Sequence, residues 1–216
     1  MQESAMFKNL VLMLSLVMGL LFVASGSAVA ANPEVGKVTR LQNDAKIIRG
    51  GETFPMEIGS VIRENDEINS DDMARIEITF VDGTTLLIGE NARVEIDEFL
   101  YDPGNGIGRA LIGALQGPFR FITGKISQMK DKRVEIKSSV ATIGVRGTDF
   151  WGGPSQGTYG VFLFEGTIVI FNAEGGRIVS TPGTGVDLDG FDKIPGEATA
   201  WGTSRAQAAV ATVTFR

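Results

Sequence analysis

The side chains able to do chemistry in this sequence are carboxylates, guanidiniums and hydroxyls, because it contains neither histidine nor cysteine. Without imidazole or thiol, Ser-His-Asp and Cys-His nucleophilic catalysis are excluded, and so are nearly all zinc sites. No disulfide framework, thiol redox chemistry or lipid attachment through an N-terminal cysteine is available either. What remains for catalysis is a pair of carboxylates facing a cleft about 5 to 10 Å apart, as in glycosidases. The Asp and Glu residues fall instead on the polar parity of strand-like stretches or in turns, and the candidate sugar platforms, Trp151 and Trp201, are isolated. Oxygen-only cation sites are conceivable at Asp187-Leu188-Asp189-Gly190-Phe191-Asp192 and at Asp71-Asp72, yet neither has the D-x-[DN]-x-[DN]-G spacing of a calcium loop, and solvated acidic turns account for both. No catalytic residue, metal ligand or cofactor is expected, and the surviving function class is binding.

Charge narrows the partner. Twenty basic against 26 acidic residues leave a formal net charge of −6, with no clustered Lys and Arg along the sequence, so nucleic acid is not expected. The first thirty residues have the three parts of an export signal: Lys8, then the uncharged 14-residue run Leu10–Val23, then small residues ending in Ala28-Val29-Ala30. Cleavage is expected between Ala30 and Ala31. The competing reading is an uncleaved anchor, but the run falls short of the roughly 20 apolar residues that span a bilayer. Met6 offers a more typical start than Met1. The expected location is periplasmic or secreted, with membrane contact only through the signal before cleavage.

The mature remainder, 31–216, is the right size for one domain. Its text is one of short strands broken by glycine and acidic turns. Ile76, Ile78 and Phe80 alternate with Arg75, Glu77 and Thr79, which is the period of a half-buried strand. Asp82-Gly83 then supplies a hairpin turn into Thr84–Ile88, and Val94 and Ile96 make a third strand of the same meander. Val134 and Ile136 alternate in the same way, and Ile143 and Val145 flank Gly144. Gly166–Asn172 has apolar residues on both parities, which predicts a strand covered on both faces or lying inside a two-layer core. The fold class is all-β: short antiparallel strands in a two-layer sandwich, roll or solenoid-like stack. Tyr101–Pro118 reads as surface loop, with a short helix an option at 107–115; a second short helix is an option at 204–213; and 173–216 reads as loop-rich.

Ordered blocks within this pattern resemble the FecR domain family over about 35–172. They are Gly59, Asn65-Asp66, Ile68 and Ser70, then Asp82-Gly83, then Arg146-Gly147-Thr148 with Phe150, then Glu165-Gly166. Gly147 in an apolar strand suggests a bulge or a close backbone approach. Arg146 needs a partner if its strand is covered, and Glu165 is the preferred one. A structural role is expected for Asp82, Gly83, Arg146, Gly147, Thr148, Phe150, Glu165 and Gly166. The family's namesake is an inner-membrane regulator with a cytoplasmic segment that controls a sigma factor. Only nine residues precede the apolar run, so transcriptional control is not carried over. The resemblance implies an exported, non-enzymatic module that binds an envelope protein in a signalling-accessory role, or alternatively a polysaccharide or peptidoglycan.

Overall fold

The computed structural model describes residues 32–216; the expected signal at 1–30 and its cleavage at Ala30-Ala31 lie outside the described residues. The first strands are β1 (Glu34–Gln42), β2 (Ala45–Arg49), β3 (Glu52–Pro55), β4 (Val61–Arg63) and β5 (Glu67–Ser70). The next are β6 (Arg75–Phe80), β7 (Thr85–Ile88), β8 (Arg93–Asp102), β9 (Ile107–Gln116) and β10 (Phe119–Ile122). A 3₁₀ turn at Lys125–Gln128 leads to β11 (Asp131–Ser138), β12 (Thr142–Ser155) and β13 (Thr158–Asn172). β14 (Gly175–Val179), β15 (Thr184–Leu188), β16 (Thr199–Ala200) and one helix, α1 (Thr203–Ala211), complete the chain.

All the strands join in one sheet, ordered β3-β2-β5-β8-β9-β11-β12-β10-β7-β6-β1-β4, with β13 to β16 branching from β12. The sheet curls so that its two halves face each other. Phe80 of β6 stacks on Phe99 of β8 with ring centroids 4.4 Å apart, although the two strands stand far apart along the sheet path. Ile68, Ile78, Ile88, Ile96, Ile112, Phe121, Ile136 and Ile143 meet in the single apolar core between the halves. Their period-two spacing places them there, since alternate strand residues share a face. The all-β expectation is borne out.

Several local expectations are corrected. The stretch 107–115 is neither loop nor helix but β9, and it pairs parallel with β11, an exception to the antiparallel rule elsewhere. Gly108, Ala110 and Ala114 keep its inward parity small on either side of Ile112. At Gly108 nothing larger fits, because a Cβ there would stand 2.5 Å from Ile126 Cγ1 of the 3₁₀ turn. β8 does not extend the β6–β7 hairpin: it pairs with β5 and β9 in the other half of the sheet. Ser70 holds that crossing, donating to Gly89 O (2.6 Å) and accepting from the Ala92 amide (2.9 Å). Gly166–Asn172 is buried on one parity only, with Phe171 exposed. The segment 173–216 is more ordered than its composition suggests, carrying β14, β15, β16 and α1; the helix expected at 204–213 spans Thr203–Ala211.

The C-terminal segment covers part of the sheet's outer surface. Trp201 stacks on Phe162 at 5.0 Å and meets Trp151 edge-on at 6.1 Å, while Trp151 donates to Thr212 Oγ1 at 3.0 Å. Arg205 lies over the Trp201 ring and pairs with Asp187. Farther along, Arg40 of β1 lies 3.9 Å over the Phe215 ring, and the Arg216 amide donates to Gln42 Oε1 at 2.8 Å. The tail thus overlies the row Arg40, Glu77, Leu87, Arg120, Trp151 and Phe162, which the strand register sets side by side. The outer face of β8, β9, β11 and the first half of β12 has no such cover among the described residues.

Candidate functional site

β12 belongs to both halves of the sheet. Its first part, Thr142–Gly144, pairs with β11, and its second, Asp149–Gly152, pairs with β10. Between them the ladder to β13 slips from Arg146/Thr167 to Asp149/Glu165, and Gly147 takes φ +61. This is the bulge that glycine at 147 suggested, and it turns the strand from one half of the sheet to the other.

The motif residues assemble around this bend. Asp82 is buried at the β6–β7 turn, where its carboxylate accepts from the Thr84 amide (2.8 Å), the Thr84 hydroxyl (2.7 Å) and the Ile126 amide (2.9 Å). One carboxylate therefore fixes both its own turn and the start of the 3₁₀ turn, where the neighbouring Gly124 amide donates to Thr84 Oγ1 at 2.9 Å. Gly83 has φ +85, the left-handed conformation its turn requires. Thr123 donates from both its amide (2.9 Å) and its hydroxyl (3.0 Å) to Thr148 O, and Thr148 N returns a bond to the same hydroxyl. Phe150 is fully buried, edge-on to Phe119 at 5.7 Å. Gly166, at φ +85, lies directly beneath the bulge: a Cβ there would stand 2.1 Å from Gly147 O. The paired RGT and EG blocks are two sides of one close backbone approach.

Arg146 and Glu165 do not pair. Both are exposed, Glu165 lies opposite Asp149, and Arg146 has no carboxylate within ion-pair reach among the described residues. The proposed pairing assumed a covered strand, and nothing covers the outer face here. Asp149 pairs instead with Arg120 through two bonds, at 2.8 and 2.6 Å.

Beside Arg146 the sheet opens. β11 begins at Asp131, yet its ladder with β12 runs only from Lys137/Thr142 to Glu135/Gly144. Beyond that point the strands diverge, leaving a groove of about 770 Å³ lined by Lys132–Glu135 and Gly144–Gly147, with Ser127 and, beside Gly144, Val169 of β13 also lining it. Arg133 grips Glu135 with two bonds, at 2.9 and 3.0 Å, which hold its guanidinium pKa above the ordinary value. The neighbouring Arg109 is raised likewise by its bond to Asp131, whose carboxyl is lowered in return. The groove's cations are Lys132, Arg133 and Arg146, and its one carboxylate, Glu135, is already bound. Of these residues only Arg146 and Gly147 belong to the motif. Arg133, Glu135 and Gly144 stood in the sequence as outward positions of ordinary strands, and no local signal tells where a ladder stops.

The other readings of the chemistry find different surroundings. Trp151 is buried under the tail and Trp201, part of the tail, packs against it and Phe162, so neither presents a flat aromatic surface to a sugar. Asp187 is taken by Arg205, while Asp189 accepts from Thr158 Oγ1 at 3.2 Å. Among the described residues no three acidic groups cluster as metal ligands.

Residues 66–169 match the family model described as FecR protein, from the buried Asp66 of β5's approach to Val169 at the groove, so the FecR resemblance is borne out over this stretch. Two crystal structures of a candidate anti-sigma factor from Parabacteroides distasonis ATCC 8503, at 1.65 Å and 2.50 Å resolution, share the fold. They align with TM-scores of 0.52 and 0.51 at 15% and 14% identity, covering 67% of this chain in each case. The chain spans 64% and 63% of the length of those proteins, under two-thirds. Comparison with curated proteins finds no match.

Proposed function

We propose that this FecR-domain chain is a non-enzymatic binding module with a signalling-accessory role in the cell envelope, periplasmic or secreted, and that the groove between β11 and β12 receives a partner protein. The observation that carries this reading is the contrast between two parts of one outer surface. The tail covers the part around Trp151, whereas the part around Arg146 is open, basic and concave. A pocket of about 770 Å³ falls within the range of ligand sites. The FecR match and the shared fold with a candidate anti-sigma factor support a place in signalling. The polysaccharide alternative draws less support, since both tryptophans are buried.

The test is cross-linking of the chain in its own envelope, comparing wild type with Arg133→Glu/Arg146→Glu. Both positions are exposed, so the fold should persist even though Arg133 gives up its two bonds to Glu135, while one defined protein cross-link disappears. An unchanged cross-link pattern, or retention on insoluble peptidoglycan in both forms, would overturn the reading.

A further inference from the structure

We infer that the groove takes an extended, carboxylate-bearing peptide: a short run of Asp or Glu side chains presented by another protein. The inference rests on the reading of the groove as the binding site and names the chemistry of its occupant. Three observations carry it.

The first is the shape. The groove lies where two neighbouring strands of a sheet stop pairing, so it is walled by the strand segments 132–135 and 144–147. Such a gap suits an extended chain, which can use free backbone groups as strand-addition ligands do. The second is the bareness of one wall. Gly144 and Gly147 leave the backbone of β12 without side chains, and a Cβ at Gly144 would stand 3.7 Å from Val169 O of the next strand. The bulge also leaves its extra residue outside the β12–β13 ladder.

The third is the charge. In a chain of net charge −6, Arg133 and Arg146 line the groove with Glu135 as its one carboxylate, while Lys132 donates to Met129 O at 3.2 Å and Glu98 acts on Arg133 from nearby. Arg133 spends its Nε and one terminal nitrogen on that glutamate, keeping another free, and Arg146 keeps its whole donor fork. A guanidinium fork matches a carboxylate in two parallel bonds. No aromatic side chain lines the groove, so the stacking that single-stranded nucleic acid requires is lacking.

The test is an amide-shift titration of the full chain with a hexaglutamate peptide, with hexalysine and inorganic phosphate as comparison probes. The expected result is saturable shifts at Gly144, Arg146 and Gly147 that weaken with added salt, with no saturable shift from hexalysine or phosphate. Arg133→Glu/Arg146→Glu should weaken binding about tenfold or more. Gly144→Val, which keeps every charge and adds a side chain to the bare wall, should weaken it comparably; its Cβ meets only ordinary contacts, so the fold tolerates it. Shifts elsewhere, equal response to phosphate, or insensitivity to both variants would overturn the inference. So would a concentration-dependent dimer that Arg146→Glu dissolves, which would put a second copy in the groove. If the envelope cross-link is lost in the charge-reversed variant while hexaglutamate never binds, the acidic ligand fails and the binding groove stands. An unchanged cross-link defeats both.

Discussion

Glycines at positive φ in this domain do unequal work, and two of them separate conformation from space. Gly83 and Gly166 share φ +85, but a Cβ at Gly83 meets nothing within 4 Å whereas at Gly166 it would strike Gly147 O at 2.1 Å. Gly83→Ala should therefore cost only the left-handed strain, about 1–2 kcal/mol, and Gly166→Ala should cost several times that or prevent folding; urea denaturation of the two variants distinguishes them. Gly147 was legible as a bulge because a glycine inside an apolar alternation has few other uses. Its contact with Gly166 was not, because the two meet only after β12 and β13 pair across their turn. Arg146 shows the complementary failure. Its alternation is readable, but whether the outer side of a strand is covered depends on a tail whose first strand, β16, begins more than fifty residues later.

At the scale of elements, β9 and the tail are where composition misled. β9 has no β-branched residue except Ile107 and Ile112, and its small inward side chains make room for Ile126. The need for that room comes from a turn beyond β10, so the stretch looks like loop when read alone. The tail has a weak helix, with no side-chain cap at Gly202, yet it is anchored through Trp201, Thr212 and Phe215 to distant strands. Packing of this kind outweighs low intrinsic propensity. Deleting residues 199–216 should uncover Leu87, Trp151 and Phe162. Trp151 would then be the only tryptophan left, and its emission should shift to the red, with new binding of a hydrophobic dye. Emission that stayed blue would mean the strip is shielded by something other than the tail.

Across the whole molecule, the chain alternates between the two halves of its sheet. β1 lies in one half, β2 and β3 in the other, β4 returns, β5 crosses again, and the crossings continue through β10 and β11 until β12 joins the halves. All-β architecture was legible from period-two spacing, but this order was not, since short strands of similar composition carry no label for their neighbours. The expected consequence for stability is a single transition: loss of the near-ultraviolet signal of Trp151 on the tail side and loss of amide protection at Gly144 on the groove side should coincide in urea. Two separate midpoints would show that the halves melt independently. The same weaving bears on damage to the polypeptide. A proteolytic cut in the exposed Pro103–Asn105 turn would release two fragments by covalent count only, because β8 grips β9, β7 grips β10 and neither piece owns a complete layer, so the severed protein should migrate as one particle until it is denatured.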